Sequence, residues 1–305
     1  DELNPDLLSK IKDNKQEIIA FLQKYTKTDT YLEIPVAEEQ ENYPLSSSQY
    51  RIWLQCSSEE VSIGYNVPNH YSLKGSYNIE FLKRAILSTV DRHETLRTVF
   101  KEDEEGNIKQ WILKREALNF AVKLVDYRGC SNALDLIKED IEEDRSTIFD
   151  LETGPLIRAT IYQLAEDHLI LYFNIHHIIS DTWSLGVLAK DVLAYYEAFI
   201  ESKIPDLQPL SIQYKDYAIW HEDQNKNQKN LESEAYWLNK FGDEVPVLDL
   251  PSSSSRPKIK TYNGLSLETY LSEEVTSKLK NYCQAKGISL YMGLLAVWNV
   301  LLYRY

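Results

Sequence analysis

Two adjacent imidazoles followed four residues later by a carboxylate, His176-His177-Ile178-Ile179-Ser180-Asp181, form the stretch of this chain best suited to chemistry. Histidine has the side-chain pKa nearest neutrality, which suits it to taking and giving protons. Three uses of the pair compete. A metal site would draw on both imidazoles and the carboxylate, but neighbouring residues at a strand end point to opposite faces, which makes joint ligation awkward. A structural pair would be two buried, hydrogen-bonded rings. In a catalytic arrangement one ring faces a cavity and the other packs inward. Asp181 then shapes the loop or pairs with an arginine, because a buried carboxylate needs a partner.

The flanking pattern shows how such a loop is held. An apolar, β-prone run at 169–175 leads into it, and an amphipathic helical pattern follows over 184–200, with Leu185, Leu188, Val192, Leu193 and Tyr196 on its buried face. The pair therefore sits at a strand-to-helix turn, rigid on one side and open on the other. Residues 156–164 and 168–175 read as a hairpin, as do 97–101 and 110–113 across the acidic turn ending in Gly106-Asn107. Another strand is expected at 120–127, and helices at 79–93, 133–143, 273–285 and 290–305. The last is apolar nearly all round and needs neighbours that do not follow in sequence, so the chain is expected to end inside a fold. A strand is expected at 265–271. Near the start, residues 4–24 carry a helical apolar pattern behind Asn4 and Pro5, with Asp13-Asn14-Lys15 either a turn between two helices or a solvent-facing stretch. Residues 26–42 and 250–257 read as linkers, and 205–209 and 224–230 as breaks.

Composition excludes several classes. At 305 residues and 43% hydrophobic, the chain can bury one large or two medium cores. A formal net charge of −14 argues against nucleic acid and against an anionic membrane surface. No run approaches the ~18 apolar residues that cross a bilayer, and residues 1–5 lack the character of a secretory signal. Cys56, Cys130 and Cys283 have no metal-ligand spacing and fit a reducing, cytoplasmic setting without a disulfide framework. The ten glycines form neither a Rossmann fingerprint nor a Walker loop.

Three further stretches stand out. Arg92-His93-Glu94-Thr95-Leu96-Arg97-Thr98-Val99-Phe100 places two arginines and a glutamate where a helix ends and a strand begins, as an ion-pair network or as a solvated cap. Residues 45–53 and 214–220 combine aromatics with small polar residues, and each alone reads as an aromatic core stripe.

In this order, the four stretches resemble the first four core motifs of the condensation domains of non-ribosomal peptide synthetases. Ser46 to Trp53 match Ser-x-Ala-Gln-x-Arg-x-Trp with Ser48 in place of Ala, and Arg92 to Phe100 match Arg-His-Glu-x-Leu-Arg-Thr-x-Phe in full. His176, His177 and Asp181 match His-His-x-x-x-Asp-Gly with Thr182 in place of Gly, and Tyr214 to Trp220 match Tyr-x-Asp-Tyr-Ala-x-Trp. The resemblance implies an α/β fold: a chloramphenicol-acetyltransferase-like lobe of a V-shaped domain, preceded by a short helical segment. It divides the chain into a helical docking-like segment (1–25), a linker (26–42), an N-terminal lobe (43–223), and a connecting segment with a truncated start of the C-terminal lobe (224–305).

The function implied is peptide-bond formation in antibiotic biosynthesis between a donor acyl or peptidyl thioester and an acceptor aminoacyl amine. Both ride on phosphopantetheine arms of carrier proteins, so the domain itself binds no cofactor and no metal. Implied partners are the donor and acceptor carriers, an adenylation domain of the same megasynthase, and an upstream synthetase through residues 3–24. His177 is implied to be the catalytic residue. Asp181 is expected to hold the loop by pairing with Arg92 or Arg97, and His176 and Trp183 to pack. Thr182 is the departure, since glycine allows positive φ and close approach and a β-branched residue does not. Ser180-Asp181-Thr182-Trp183-Ser184 resembles domains that join two L-configured residues. A stand-alone acyltransferase and a non-catalytic docking module are the alternatives.

Overall fold

A computed structural model of the chain describes residues 10–26, 33–225, 228–243, 245, 267 and 269–305. It divides into two compact units, Asp1–Asn227 and Gln228–Tyr305.

The first unit begins with helical residues 10–13, a turn at Asn14 and helix α1 (Lys15–Thr26). Then follow β1 (Tyr43–Pro44), α2 (Ser47–Gln55), α3 (Glu59–Ile63), β2 (Asn66–Lys74) and α4 (Ile79–Arg92). A short 3-10 turn, Glu94–Arg97, leads into β3 (Thr98–Glu102), β4 (Ile108–Ile112), β5 (Val122–Asp126) and α5 (Ala133–Ser146). The hairpin β6 (Ile157–Ala165) and β7 (His168–His176), then α6 (Thr182–Ile200) and α7 (Tyr214–Asn225), complete the unit. In the second unit lie α8 (Gln228–Lys240), α9 (Glu273–Ala285) and α10 (Leu290–Arg304). The linker expected at 250–257 lies outside the described residues; of the strand expected at 265–271, residues 265, 266 and 268 lie outside them and 267 and 269–271 are not in a strand.

Four strands form the central sheet in the order β2-β7-β6-β5, antiparallel except for the parallel pair β5–β6. A smaller antiparallel sheet has the order β1-β4-β3. Alternation along β7 sorts the core into two layers. Leu169 and Leu171 pack with Leu82, Ala85 and Ile86 of α4 and Val192 and Tyr196 of α6. Ile170 and Tyr172 face the other way, onto Ile137 of α5. A sheet buried on both faces reads as a near-continuous apolar run, which is why β7 is so plain in the sequence. Strand β2 is less plain, because Pro68 and Asn69 interrupt its pattern; as an edge strand it tolerates the proline.

Chain entry to β6 depends on Gly154. Its φ is +63°, and a Cβ built there would lie 2.9 Å from Cγ1 of Val99. Gly154→Ala should therefore cost about 2 kcal/mol or more. Gly129 has φ +78° with nothing within 4 Å of a built Cβ, so Gly129→Ala should cost less. Urea denaturation of the two variants checks the order.

Candidate active site

The backbone that leaves β7 is pinned on both sides. His176 N donates to Leu156 O at 3.0 Å, just before β6, and His177 N donates to Tyr65 O at 2.8 Å, just before β2. Held this way, the two rings take opposite faces, and although Tyr65 lies about 6 Å from both, one ring is buried and the other belongs to an exposed residue.

His176 is 0% exposed. Its Nδ1 accepts from Ile178 N at 3.2 Å, so the neutral ring carries its proton on Nε2, 3.7 Å from Cys56 Sγ. Phe149 meets it edge-on at 6.0 Å, and the Arg158 guanidinium lies 3.7 Å over the Phe149 ring. Behind this ring the sheet face carries Tyr172 and Asn174, which donate to Asp144 at 2.8 and 2.7 Å, and Arg158, whose Nε lies 2.6 Å from the same carboxylate. Burial, and then the charges of His177 and Arg158, lower the His176 pKa to about 4. The ring is neutral at pH 7 and serves packing.

His177 is exposed. Its Nδ1 lies 2.6 Å from the Ser180 carbonyl. A carbonyl only accepts, so Nδ1 carries the proton, and in the neutral ring Nε2 is the basic nitrogen. Tyr65 flanks the imidazole at 6.3 Å. The loop underneath is anchored by Ile178 and Ile179, both buried in a cluster with Val90, Leu96 and Phe100, against which Trp53 and Leu185 also pack. The result is a fixed, single-tautomer base presented outward.

Asp181 corrects the expected arginine pairing. It is the N-cap of α6, accepting from Ser184 N at 2.8 Å and from Ser184 Oγ at 2.5 Å. These hydrogen bonds, the hydroxyl's first, lower its pKa. Arg92 lies at the end of α4 and reaches Asp191 instead, with Nε 2.9 Å from Oδ2. Asp191 is ten residues further along α6 than Asp181, about 15 Å at helical rise. Arg97 turns to carbonyls, those of Val90 at 3.3 Å, Asp91 at 3.3 Å and Leu113 at 2.5 Å, and so caps the C-terminal end of α4.

Trp183 also departs from expectation: it is 83% exposed rather than packed. As the second residue of α6 it points away from the helix's buried face, which is set by Val192 and Tyr196. Thr182 is the first residue of α6 and is not among the described residues with positive φ, which besides glycines are Asn119 and Ser202. The turn therefore places no glycine-like demand on this position.

The other two stretches act as braces. Ser46 caps α2 in a reciprocal box with Gln49, and its hydroxyl lies 2.9 Å from Tyr214 OH. Asp216, buried at the start of α7, accepts from Ala37 N at 2.9 Å and Gln213 N at 2.6 Å. Gln213 in turn donates to Arg92 O at 3.0 Å, and Lys215 lies 2.8 Å from Glu94. Thr95 closes the ring with a longer bond, 3.3 Å, to Ile179 O beneath the histidine loop. Sequence reasoning missed Asp191, which also bonds His93 Nε2 at 2.7 Å and is 7% exposed. An acid beside Val192 on the apolar face of α6 was the available signal, since such a carboxylate requires a cation. Among the described residues no group of three His, Cys, Asp or Glu side chains is placed to hold a metal ion. No single helix there is long and apolar enough to cross a membrane.

The paired histidines at a pinned strand end, on a sheet covered by helices on both faces, define a mixed α/β domain built to present one imidazole. The chain belongs to the condensation domain family, whose model matches residues 39–305. It is 35% identical to bacitracin synthase 3 of Bacillus licheniformis over 280 residues, 92% of this chain and 4% of that protein. It is 34% identical to tyrocidine synthase 3 of Brevibacillus parabrevis, over 94% of this chain and 4% of that one. The fold matches the X-domain from teicoplanin biosynthesis with TM-score 0.74 at 25% identity, covering 90% of this chain and 59% of that one. The first condensation domain of the calcium-dependent antibiotic synthetase matches with TM-score 0.73 at 20% identity, over 88% and 62%. The chain thus spans a small part of its curated relatives and roughly three-fifths of these solved domains.

Two measurements check the site's energetics. Since His176 binds a proton near pH 4 when folded and near 6.5 when unfolded, the unfolded state takes up the proton first as pH falls. Stability should drop by about 3 kcal/mol between pH 6.5 and 4, a window that His176→Gln should flatten in urea denaturation. Asp191→Ala leaves the Arg92 guanidinium without its carboxylate and should destabilise by about 3–5 kcal/mol, measured the same way.

Proposed function

We propose that His177 promotes peptide-bond formation between two carrier-bound substrates, a donor acyl or peptidyl thioester and an acceptor aminoacyl amine. The observation that supports this most is the Ser180 carbonyl on Nδ1, which leaves Nε2 as the basic nitrogen of an exposed residue. In the reaction the amine nitrogen bonds the thioester carbon, the carbon–sulfur bond breaks, and the amine's proton passes through Nε2 to the departing thiolate. An activated thioester and a neutral amine need little chemical help. Tethering and alignment supply about 7–11 kcal/mol in favourable cases, and a positioned base about 10²–10⁴-fold. Nε2 also suits a hydrogen bond to the amine in the tetrahedral intermediate.

Family membership and the relatives' names support a place in a megasynthase, with donor and acceptor carriers, their phosphopantetheine arms and an adenylation domain as partners in the cytoplasm. Residues 43–223 then form the histidine-bearing lobe, and 224–305 the connection and start of the next. The subtype joining two L-configured residues rests on Trp183 preceding Ser184 and on histidine at 176. Docking to an upstream synthetase through the N-terminal segment is supported by Ile11, Ile18, Ile19 and Phe21, all at least 37% exposed on a helical stretch.

The test is a condensation assay on the complete domain with loaded donor and acceptor carriers, followed by intact-protein mass spectrometry. His177→Ala should lower peptide transfer about 10²–10⁴-fold while leaving the far-ultraviolet circular dichroism intact. Equal yields from wild type and variant would remove the catalytic assignment, and turnover of free acyl-CoA without carriers would favour a stand-alone acyltransferase.

A further inference from the structure

We infer that Cys56 is a positioning residue for condensation: through His176 and the backbone of Ile178 it holds the histidine loop in the shape that keeps His177 in one tautomer. The inference rests on the reading of His177 as the base.

The connection starts in α2. Ile52, Trp53 and Cys56 recur at helical spacing and share the inner face of the helix. Ile52 and Trp53 pack against the cluster that holds Ile178 and Ile179. Cys56, at the end of the helix, reaches His176 itself, with Sγ 3.7 Å from Nε2. The thiol is held in turn: Cys56 N donates to Ile52 O at 3.0 Å, and the hydroxyl of buried Ser62 bonds the sulfur.

His176 has no choice over which nitrogen it offers. Nδ1 accepts from Ile178 N at 3.2 Å, so Nε2 bears the proton of the neutral ring and needs an acceptor. The Cys56 sulfur is that acceptor. A buried donor deprived of its partner costs about 1–3 kcal/mol. Moving the proton to Nδ1 removes that cost but sets two donors, Nδ1–H and Ile178 N–H, against each other. Ile178 N is the first fixed point of the loop, and Ile179 N, which donates to His176 O at 3.1 Å, is the second. The Ser180 carbonyl follows directly, and His177 Nδ1 rests on it at 2.6 Å. A loss at Cys56 therefore travels to the tautomer of His177.

A cysteine beside a histidine can also make a nucleophilic thiol, and the geometry rejects that use. Nε2 already holds a proton and cannot take the thiol's, and burial pushes the Cys56 pKa up. A carboxylate in place of the thiol would draw a second proton onto the ring and break the Ile178 bond from the other side. A neutral, weakly accepting sulfur satisfies Nε2–H without charging the ring.

The test compares wild type, Cys56→Ala and Cys56→Ser by proton–nitrogen NMR of the imidazoles and by the carrier-loaded condensation assay on the complete domain. In wild type His176 should show the Nε2–H tautomer, and His177 the Nδ1–H tautomer alone. Cys56→Ala should give a mixture of tautomers at His177. It should also lower kcat about tenfold, part of the ~10²–10⁴-fold that a base supplies, with KM for both loaded carriers unchanged. Cys56→Ser keeps an acceptor and should restore the single tautomer and most of kcat. A cysteine that only supports the fold would lower stability in urea and leave both kcat per folded molecule and the His177 tautomer as they are; that result would overturn the inference. An Nδ1–H tautomer at His176 in wild type would overturn it too, whether or not Cys56→Ala folds. Equal condensation by wild type and His177→Ala, with the tautomer mixture present in Cys56→Ala, would remove the condensation reading and leave the hold of Cys56 on the loop.

Discussion

The backbone pinned at the end of β7 is the constraint from which the site's properties follow. Two hydrogen bonds, His176 N to Leu156 O and His177 N to Tyr65 O, carry the strand's two-residue alternation one step past its last ladder pair. Adjacent imidazoles are thereby sent to opposite sides of a sheet that is buried on both. One ring enters a layer already holding Asp144, Arg158 and Tyr172, where desolvation keeps it neutral. The other leaves the sheet, is caught by the Ser180 carbonyl, and presents a basic nitrogen. Identical side chains thereby acquire different surroundings, one ring buried and the other exposed.

Around this point the charged residues act as structure. Asp191 joins Arg92 and His93, so the end of α4 is fixed to the middle of α6 by a carboxylate with little exposure. Glu94 and Lys215 extend the connection to α7, and Gln213 ties the intervening segment to Arg92 O. Stretches that stand more than a hundred residues apart, 92–100 and 214–220, therefore share one hydrogen-bonded layer beside the histidine loop. Such a layer carries a cost, since charges have been taken from water, and it gives in return a helix start whose position does not drift. Asp181 needs no arginine in this scheme, because α6 itself supplies the donors through Ser184.

Elements with strong periodicity were legible from sequence, and those set by long-range pairing were not. Helix α4, the β6–β7 hairpin and α6 carry their periods in the residues themselves, with boundaries moved by one or two positions. Strand β2 is weakly patterned, since Asn69 and Pro68 fall within it and its identity comes from pairing with β7 about a hundred residues later. Arg92, Arg97 and Asp181 announced themselves as charges that needed partners, and the partners could not be assigned. Candidate ions at similar sequence distance look alike until the helices are placed, and Asp191, the acid that Arg92 uses, hid within an apolar run.

Residue types and their order determined the family, the helix and strand periods around the loop, and the presence of one imidazole suited to proton transfer. Chain order carries these because they are local or are sums of local matches. The resemblance named His177 as the outward ring, while the tautomer it holds and the carboxylate that answers each arginine emerged only on folding. Each of those depends on a backbone carbonyl or a helix brought near by distant segments, such as Tyr65 and Leu156 around β7 or Asp191 across from Arg92. Contacts of that kind are set by the packing of whole layers, and spacing along the chain does not encode them.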